Sequence, residues 1–513
     1  MKSNLWKIFI LLSIVCLFSA GGETDAQELI SSTTAEQVPL TEASESGKKI
    51  YTQLMYAIYL QSFDRDLDAV KRLYDALVEQ VPESAYVWYK RGQLRFHRLQ
   101  DVKGAENDTL EALKLNPSHV PANWLLAEIL MLHASHHSER NYMIEALKAA
   151  KKVTELDSDH LGAHQRVANL ASELQEYAAV ETSLKALTRI LPFEPEFHRR
   201  LGRLYLITNK PLEATDAYQR VIKITPNDLM TLRIVGRLYL DTGKLAEAEQ
   251  TFKHILTLVP QDVSGNLGLG LVLQRLAEQA LASSNKDPKS EKTDLQTLIR
   301  DAETYLGRAI FFSKDFINNP RNDVQRAYFE RLAIDAQFAL ANVYFLYKKY
   351  EKAEETFEQL LADNPEHTGA TYGIAAVYQT IGAFEKAETY LRKTLKIEPG
   401  HEYALNALGY LFAEQEKNLE EAEVLVKQAL QKSPKNGAYL DSLGWVYFKQ
   451  GRIAEAVTLL EEANQQLPDN AEILMHLGDA YLENGEPDKA RGVWQQAQTI
   501  EPDNDDIQER LKQ

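Results

Sequence analysis

Cysteine is almost missing. Cys16 is the only one in 513 residues, and it lies inside an apolar run near the N-terminus. Removal of that run would leave a chain with no disulfide and no thiol chemistry. Positive charge is short as well: 57 Lys and Arg face 74 Asp and Glu, for a formal net charge of −17. A general nucleic-acid binder would be basic, so nucleic acid is not expected as a partner. Catalytic signatures are lacking too. There is no G-x-S-x-G, no P-loop and no H-E-x-x-H, which removes the common hydrolase, nucleotide and zinc-protease readings. Gly265, Gly268 and Gly270 imitate a dinucleotide loop, but no strand is expected before them. His133, His136 and His137 cluster without the defined spacing and support that zinc requires. No cofactor and no metal are expected.

The apolar run itself, residues 8–18, is 11 residues long, too short for an ordinary membrane span. Lys2 and Lys7 supply positive charge beside it, and Ser19, Ala20, Gly21 and Gly22 follow. Charge, apolar core and small residues in that order are expected of a secretory signal. Cleavage after Gly21 and cleavage after Ala26 both fit; a retained anchor is the alternative. Val15 stands before Cys16, where a lipoprotein needs a small residue, so Cys16 reads as a small hydrophobe of the run. Residues 1–26 are assigned to the signal. Residues 27–49 carry Ser31, Ser32, Thr33, Thr34 and Pro39 and few large apolar side chains, and are read as a flexible linker. Membrane contact is expected only through a retained signal or a membrane-bound partner.

What the chain does have is a spacing. Pro468 and Pro502 lie 34 residues apart, and the same landmarks precede each. Before Pro468 come Leu440, Leu443, Gly444, Tyr447, Ala456, Leu460 and Ala463. Before Pro502 come Leu474, Leu477, Gly478, Tyr481, Ala490, Trp494 and Ala497. The apolar positions fall three and four apart, so each half of a copy is predicted to be an amphipathic helix. Gly444 and Ala456 are small where two helices are expected to cross. Pro468 stops the second helix because it has no backbone donor. One helix pair cannot cover its own apolar face; stacked neighbours can. The pattern resembles the tetratricopeptide repeat, W-x2-L-G-x2-Y, then A-x3-F, then P, although no copy has Trp at the first slot. The resemblance implies an all-α, right-handed superhelical solenoid of about 12 helix-turn-helix pairs with a C-terminal capping helix.

The proline steps map the chain. Pro82 and Pro117 close the first copies, Asp157 stands where the third Pro would be, and Pro192, Pro226 and Pro260 follow at steps of 34. Residues 50–260 are read as an N-terminal array, with a longer loop at 133–140 in the third copy. The next copy opens at Leu269-Gly270, but the matching Ala302 comes 32 residues later. Hence 261–320 is read as an interrupted repeat with a mobile polar insertion near 283–294, flanked by lengthened helices. Pro365, Pro399, Pro434, Pro468 and Pro502 carry a C-terminal array over 321–502. Residues 503–513 would be the capping helix, because the last pair needs a cover.

In this repeat family the first helix of each pair faces the concave side, and its fifth and ninth positions commonly touch ligand. Carried onto this chain, three copies give Gln165 and Asn169, Arg199 and Arg203, then Arg233 and Arg237, with Arg166 and Arg200 nearby. The arginines recur at 34 and would form a ladder suited to carboxylate or phosphate; pairing with neighbouring Glu is the plainer reading. Further along, the equivalent positions turn largely aromatic: Phe338, Asn342 and Phe345; Tyr372; Asn406 and Tyr410; then Asp441, Trp445 and Phe448. Aromatic side chains dominate contact energy in interfaces, and this set would grip a peptide or stack on sugar rings. Packing between copies is the plainer reading here as well.

The wording of residues 403–498 is similar to the C-terminal half of bacterial envelope repeat proteins, which serve as scaffolds in outer-membrane, exopolysaccharide or secretion systems. The resemblance implies a non-enzymatic adaptor that holds protein or peptide partners in its groove, exported to the periplasm or outer membrane. The alternatives are an accessory of polysaccharide export or outer-membrane assembly that contacts glycan, and an enzyme subunit inactive alone.

Overall fold

The computed structural model describes residues 45–62, 66–137, 140–284 and 292–512. The expected signal, most of the expected linker and residues 285–291 of the expected insertion lie outside them. Among the described residues all regular structure is α-helical, in 25 helices. The chain divides into two compact units, 1–226 and 227–513.

In the first unit the helices pair as α1 (Glu45–Ser62) with α2 (Leu67–Gln80), α3 (Ala85–His97) with α4 (Val102–Leu115), and α5 (Val120–His137) with α6 (Arg140–Leu156). Then come α7 (Leu161–Glu173) with α8 (Tyr177–Ile190) and α9 (Pro195–Ile207) with α10 (Pro211–Ile224). The second unit opens with α11 (Leu229–Asp241) and α12 (Leu245–Leu258), α13 (Val263–Ser284) and α14 (Lys292–Asn318), and α15 (Asp323–Leu346) and α16 (Tyr350–Asp363). It continues with α17 (Thr368–Thr380) and α18 (Phe384–Ile397), α19 (Glu402–Glu414) and α20 (Leu419–Lys432), and α21 (Gly437–Lys449) and α22 (Ile453–Gln466). It closes with α23 (Ala471–Glu483), α24 (Pro487–Ile500) and the short α25 (Asp505–Arg510).

Within each unit a first helix packs on its own partner, and that partner packs on the next first helix. First helices of adjacent pairs also touch, as α19 with α21 and α21 with α23; successive second helices meet far less. The first helices therefore make a row of their own. Small residues permit this packing. A Cβ on Gly444 would sit 2.7 Å from Leu460 Cγ, and one on Gly478 would sit 2.1 Å from Trp494 Nε1. Gly268 and Gly270 on α13 serve the same purpose against Phe252 and Leu306, so the dinucleotide-like spacing is helix packing.

Most of the described turns inside pairs place a residue in the left-handed region. Gly243, Gly382, Gly451 and Gly485 take it with φ from 73° to 80°, and Gln175, Asn209, Lys348 and Glu416 take it at 50–61°. Glycine is unstrained there; the other four are held by the helices on either side. Between pairs, the signature tyrosine reaches back to a glutamate on the preceding second helix. Tyr205, Tyr378, Tyr447 and Tyr481 donate to Glu181 (3.3 Å), Glu354 (2.6 Å), Glu423 (3.4 Å) and Glu461 (2.6 Å).

Two segments differ from the sequence expectation. The extra residues of the third pair lengthen α5, which runs through His137, rather than forming a loop over 133–140. His133 accordingly lies on a helix, its ring stacked on Tyr142 and its Nε2 3.4 Å from Glu106. Helix α1 begins at Glu45, inside the stretch read as linker. Helices α13, α14 and α15 are long, at 22, 27 and 24 residues.

Candidate functional site

The first helices carry every residue singled out from the sequence. In the first unit Gln165 is half-buried, and Asn169 is exposed and accepts from Arg200 Nη2 at 2.8 Å. Arg166 lies over the Trp124 ring at 5.2 Å. Arg199 and Arg203 both reach Glu196 on their own helix, at 2.5 and 3.0 Å. In the second unit Arg233 pairs with the buried Asp262, and Arg237 lies 2.9 Å from Asp241. Each arginine of the expected ladder thus already holds a carboxylate of its own unit. The forks expected to await an anionic ligand neutralise buried or adjacent acids instead.

The aromatic set divides as well. Phe338 packs on Phe357 and His367, and Phe345 on Tyr350; Asn342 is half-buried beside them. The densest grouping is at the C-terminal end. Trp445 is only 6% exposed. Its ring stacks on His476 at 4.1 Å and on Phe448 at 4.8 Å, and its indole N–H donates to Glu414 at 2.6 Å. Asp441, 5% exposed, accepts from His476 Nδ1 at 2.9 Å. Burial works against a charge on His476, but Asp441, and beyond it Glu472 and Glu414, outweigh it and raise its pKa. Tyr410 donates to Glu472 two pairs away at 2.6 Å; burial and that carboxylate push its hydroxyl pKa up. Arg510 on α25 clasps Asp479 at 2.7 and 2.8 Å.

This constellation joins α19, α21, α23 and α25. It corrects the expectation for Trp445 and Asp441, which form a seam between helices and present no free face. Sequence reasoning missed His476, Glu414 and Glu472, because the spacings of 35, 31 and 62 residues to their partners follow no single step of the repeat.

A second recurring feature also escaped it. His119, His160, His367 and His401 precede first helices, and each Nδ1 accepts a backbone N–H three residues on, at 3.0–3.1 Å. Each ring packs on an aromatic of the preceding first helix: Tyr89 at 5.0 Å, Trp124 at 5.1 Å, Phe338 at 5.2 Å and Tyr372 at 5.2 Å. An accepting Nδ1 has no proton, so these caps require neutral imidazole.

The open part of the aromatic surface lies one pair earlier than Trp445. Tyr403 at the start of α19 is 56% exposed, with Tyr372, His401 and Tyr439 around it. Asn406 follows on the same helix, half-buried. Among the described residues no group of three or more His, Cys, Asp and Glu is placed to hold a metal ion, and no helix is long and apolar enough to cross a membrane.

The family model for the tetratricopeptide repeat matches residues 344–410 and 447–513. A TPR repeat-containing protein of Pseudomonas aeruginosa is 42% identical over 59 residues, which is 12% of this chain and 10% of that one. The chain thus spans about a tenth of that relative's length. Among solved structures, a tetratricopeptide repeat protein from Parabacteroides merdae aligns over 55% of this chain and 97% of its own, with 20% identity and a TM-score of 0.39. The APC/C hetero-tetramer Cut9-Hcn1 aligns over 99% of this chain and 95% of its own, with 13% identity and a TM-score of 0.44.

Proposed function

We propose that this chain, whose residues 344–410 and 447–513 match the tetratricopeptide repeat, is a non-enzymatic scaffold that binds protein partners along the rows formed by the first helices within its units. One observation carries the reading. The functional side chains of the second unit converge from successive first helices onto one face, where Tyr403 stands open and its neighbours are rigidly packed. Preorganised aromatic surface of that kind binds protein at low entropic cost. Among the described residues, His476 and Asp441 form a buried His–Asp pair beneath the Trp445 ring. The charged and apolar order of residues 2–22 supports export to the bacterial envelope.

A photo-crosslinking residue placed at Arg237 or Phe448, on first helices, should trap one or a few proteins in cells. The same residue at Glu462, on a second helix, should trap none of them. Capture of glycan in place of protein would favour a polysaccharide-export accessory. Turnover of a substrate by the purified chain would refute the scaffold reading, and an unprocessed N-terminus found in the cytoplasm would refute export.

A further inference from the structure

We infer that the second unit has a receptor for a basic side chain, arginine or lysine, where Tyr372, Tyr403 and Tyr439 converge, and that its occupant is a basic segment of the partner protein. This rests on the scaffold reading and specifies the chemistry of the partner.

The three tyrosines come from α17, α19 and α21. Ring centroids are 6.3 Å apart for Tyr372 and Tyr403, and 6.4 Å for Tyr403 and Tyr439. Tyr403 offers an open π face. Tyr439 is the reverse: it is 3% exposed, and its hydroxyl has no hydrogen-bond partner. Burial, and after it Glu402, Tyr403 and Tyr372, raise the pKa of that hydroxyl, so it stays protonated and neutral beside the Tyr403 ring. Asn406, one turn along α19, has a buried Oδ1 that likewise lacks a donor. A buried polar atom without a partner is costly, and native structures hold few of them.

What is missing is therefore a donor. The site has a carboxylate, a hydroxyl oxygen, an amide oxygen and aromatic faces, which together suit a cation. An anion would meet Glu402 and the negative faces of the rings. His401 adds no positive charge, because its Nδ1 accepts from the Ala404 N–H. The Lys432 ammonium donates to the Gly400 carbonyl. The chain uses the same chemistry internally: Lys386 lies over Tyr378 at 4.6 Å and Arg452 over Tyr447 at 3.6 Å.

Charge extends the argument from one side chain to a segment. Helices α19, α21 and α23 carry Glu402, Glu414, Glu472 and Glu483 against a single Lys449, leaving aside Asp441 and Asp479, which His476 and Arg510 hold. A partner laid along this row gains from several cations.

Hexa-arginine serves as the probe, titrated calorimetrically into the full chain at physiological salt. Tyr439→Phe removes one oxygen and Tyr403→Leu removes one ring; neither alters charge. Each should weaken binding ~3- to 5-fold. Glu402→Gln should weaken it further, and Glu462→Gln on α22 should leave it unchanged. Thermal melts confirm that the variants are folded. Equal affinity for wild type, Tyr439→Phe and Tyr403→Leu would overturn the assignment. So would equal losses for Glu402→Gln and Glu462→Gln, which would mean diffuse attraction to an acidic protein. Self-association of the chain that Tyr403→Leu abolishes would give the site to a second copy and overturn the assignment to a partner. Trapping of partners at Phe448 with an insensitive hexa-arginine affinity would sink the cation site alone and leave the scaffold reading standing.

Discussion

Lowering the pH from 7 to 5 should loosen the first unit at the start of α5. The Ala122 N–H donates to His119 Nδ1 at 3.1 Å, so protonation of that nitrogen removes the cap and sets a cation at a helix N-terminus. Burial, and then the Lys90 charge, lower the His119 pKa to about 4, against 6.5 for an unperturbed histidine. Between those values the unfolded chain binds a proton that the folded chain does not. Stability is therefore complete above 6.5, falls as pH drops, and is fully lost below about 4. With these two values the loss between pH 7 and pH 5 is about 2 kcal/mol. His476 has the opposite sign. Its pKa is raised in the folded state, so its stabilisation is present in acid and is lost as pH climbs through the folded value. Because repeats couple mainly to their neighbours, the two effects should stay in their own units. Hydrogen exchange, corrected for intrinsic rate, reads this directly. Peptides from α3 to α5 should lose about 2 kcal/mol of protection at pH 5, and peptides from α21 and α23 should keep theirs. His119→Asn, whose amide caps without titrating, should abolish the difference. Equal protection of α5 at both pH values, or the same loss in His119→Asn, would refute the reasoning.

Three further outcomes are expected. Gly478→Ala, which sets a Cβ 2.1 Å from the Trp494 ring nitrogen, should cost about 1–3 kcal/mol in urea denaturation; an unaltered midpoint would show that the helices approach less closely. Trp445→Ala should cost about 3–5 kcal/mol and expose α21 and α23 to exchange together, since it also strips cover from His476 and a donor from Glu414; a loss of partner binding with exchange unchanged would mean instead that Trp445 touches the partner. Tyr481→Phe removes the 2.6 Å bond to Glu461 and should cost about 1 kcal/mol, read as a lower midpoint; no change would make the tyrosine bolts dispensable.

Much of the fold was legible because its causes are local and repeated. The three-and-four spacing of Leu440, Leu443, Leu460 and Ala463 makes helices wherever it occurs, and Pro468 and Pro502 follow the ends of α22 and α24 by two residues. The left-handed turn was not read from the sequence: glycine takes it at Gly451 and Gly485, but at Gln175 and Glu416 the flanking helices impose it on residues that carry no such signal. The third pair misled for a related reason: polar residues at 133–137 read as loop, yet one end of a long helix tolerates them.

The candidate site was legible only as a set of positions. Repeat spacing states which side of a helix Trp445, Asp441, Arg199 and Arg233 occupy. It does not state what faces them, because that depends on side chains carried by other helices. Thus Arg199 meets Glu196, Arg233 meets Asp262, and Trp445 lies between His476 and Phe448. By itself the sequence determined the all-helical pairing, its 34-residue register and the acidic balance of the chain, since each follows from residues near one another along the backbone. The tertiary structure alone decided which of the lined-up side chains are sealed and which are open. Burial and pairing are sums over neighbours from three or four helices, and they leave Tyr403 exposed, Trp445 covered and the Tyr439 hydroxyl without a partner.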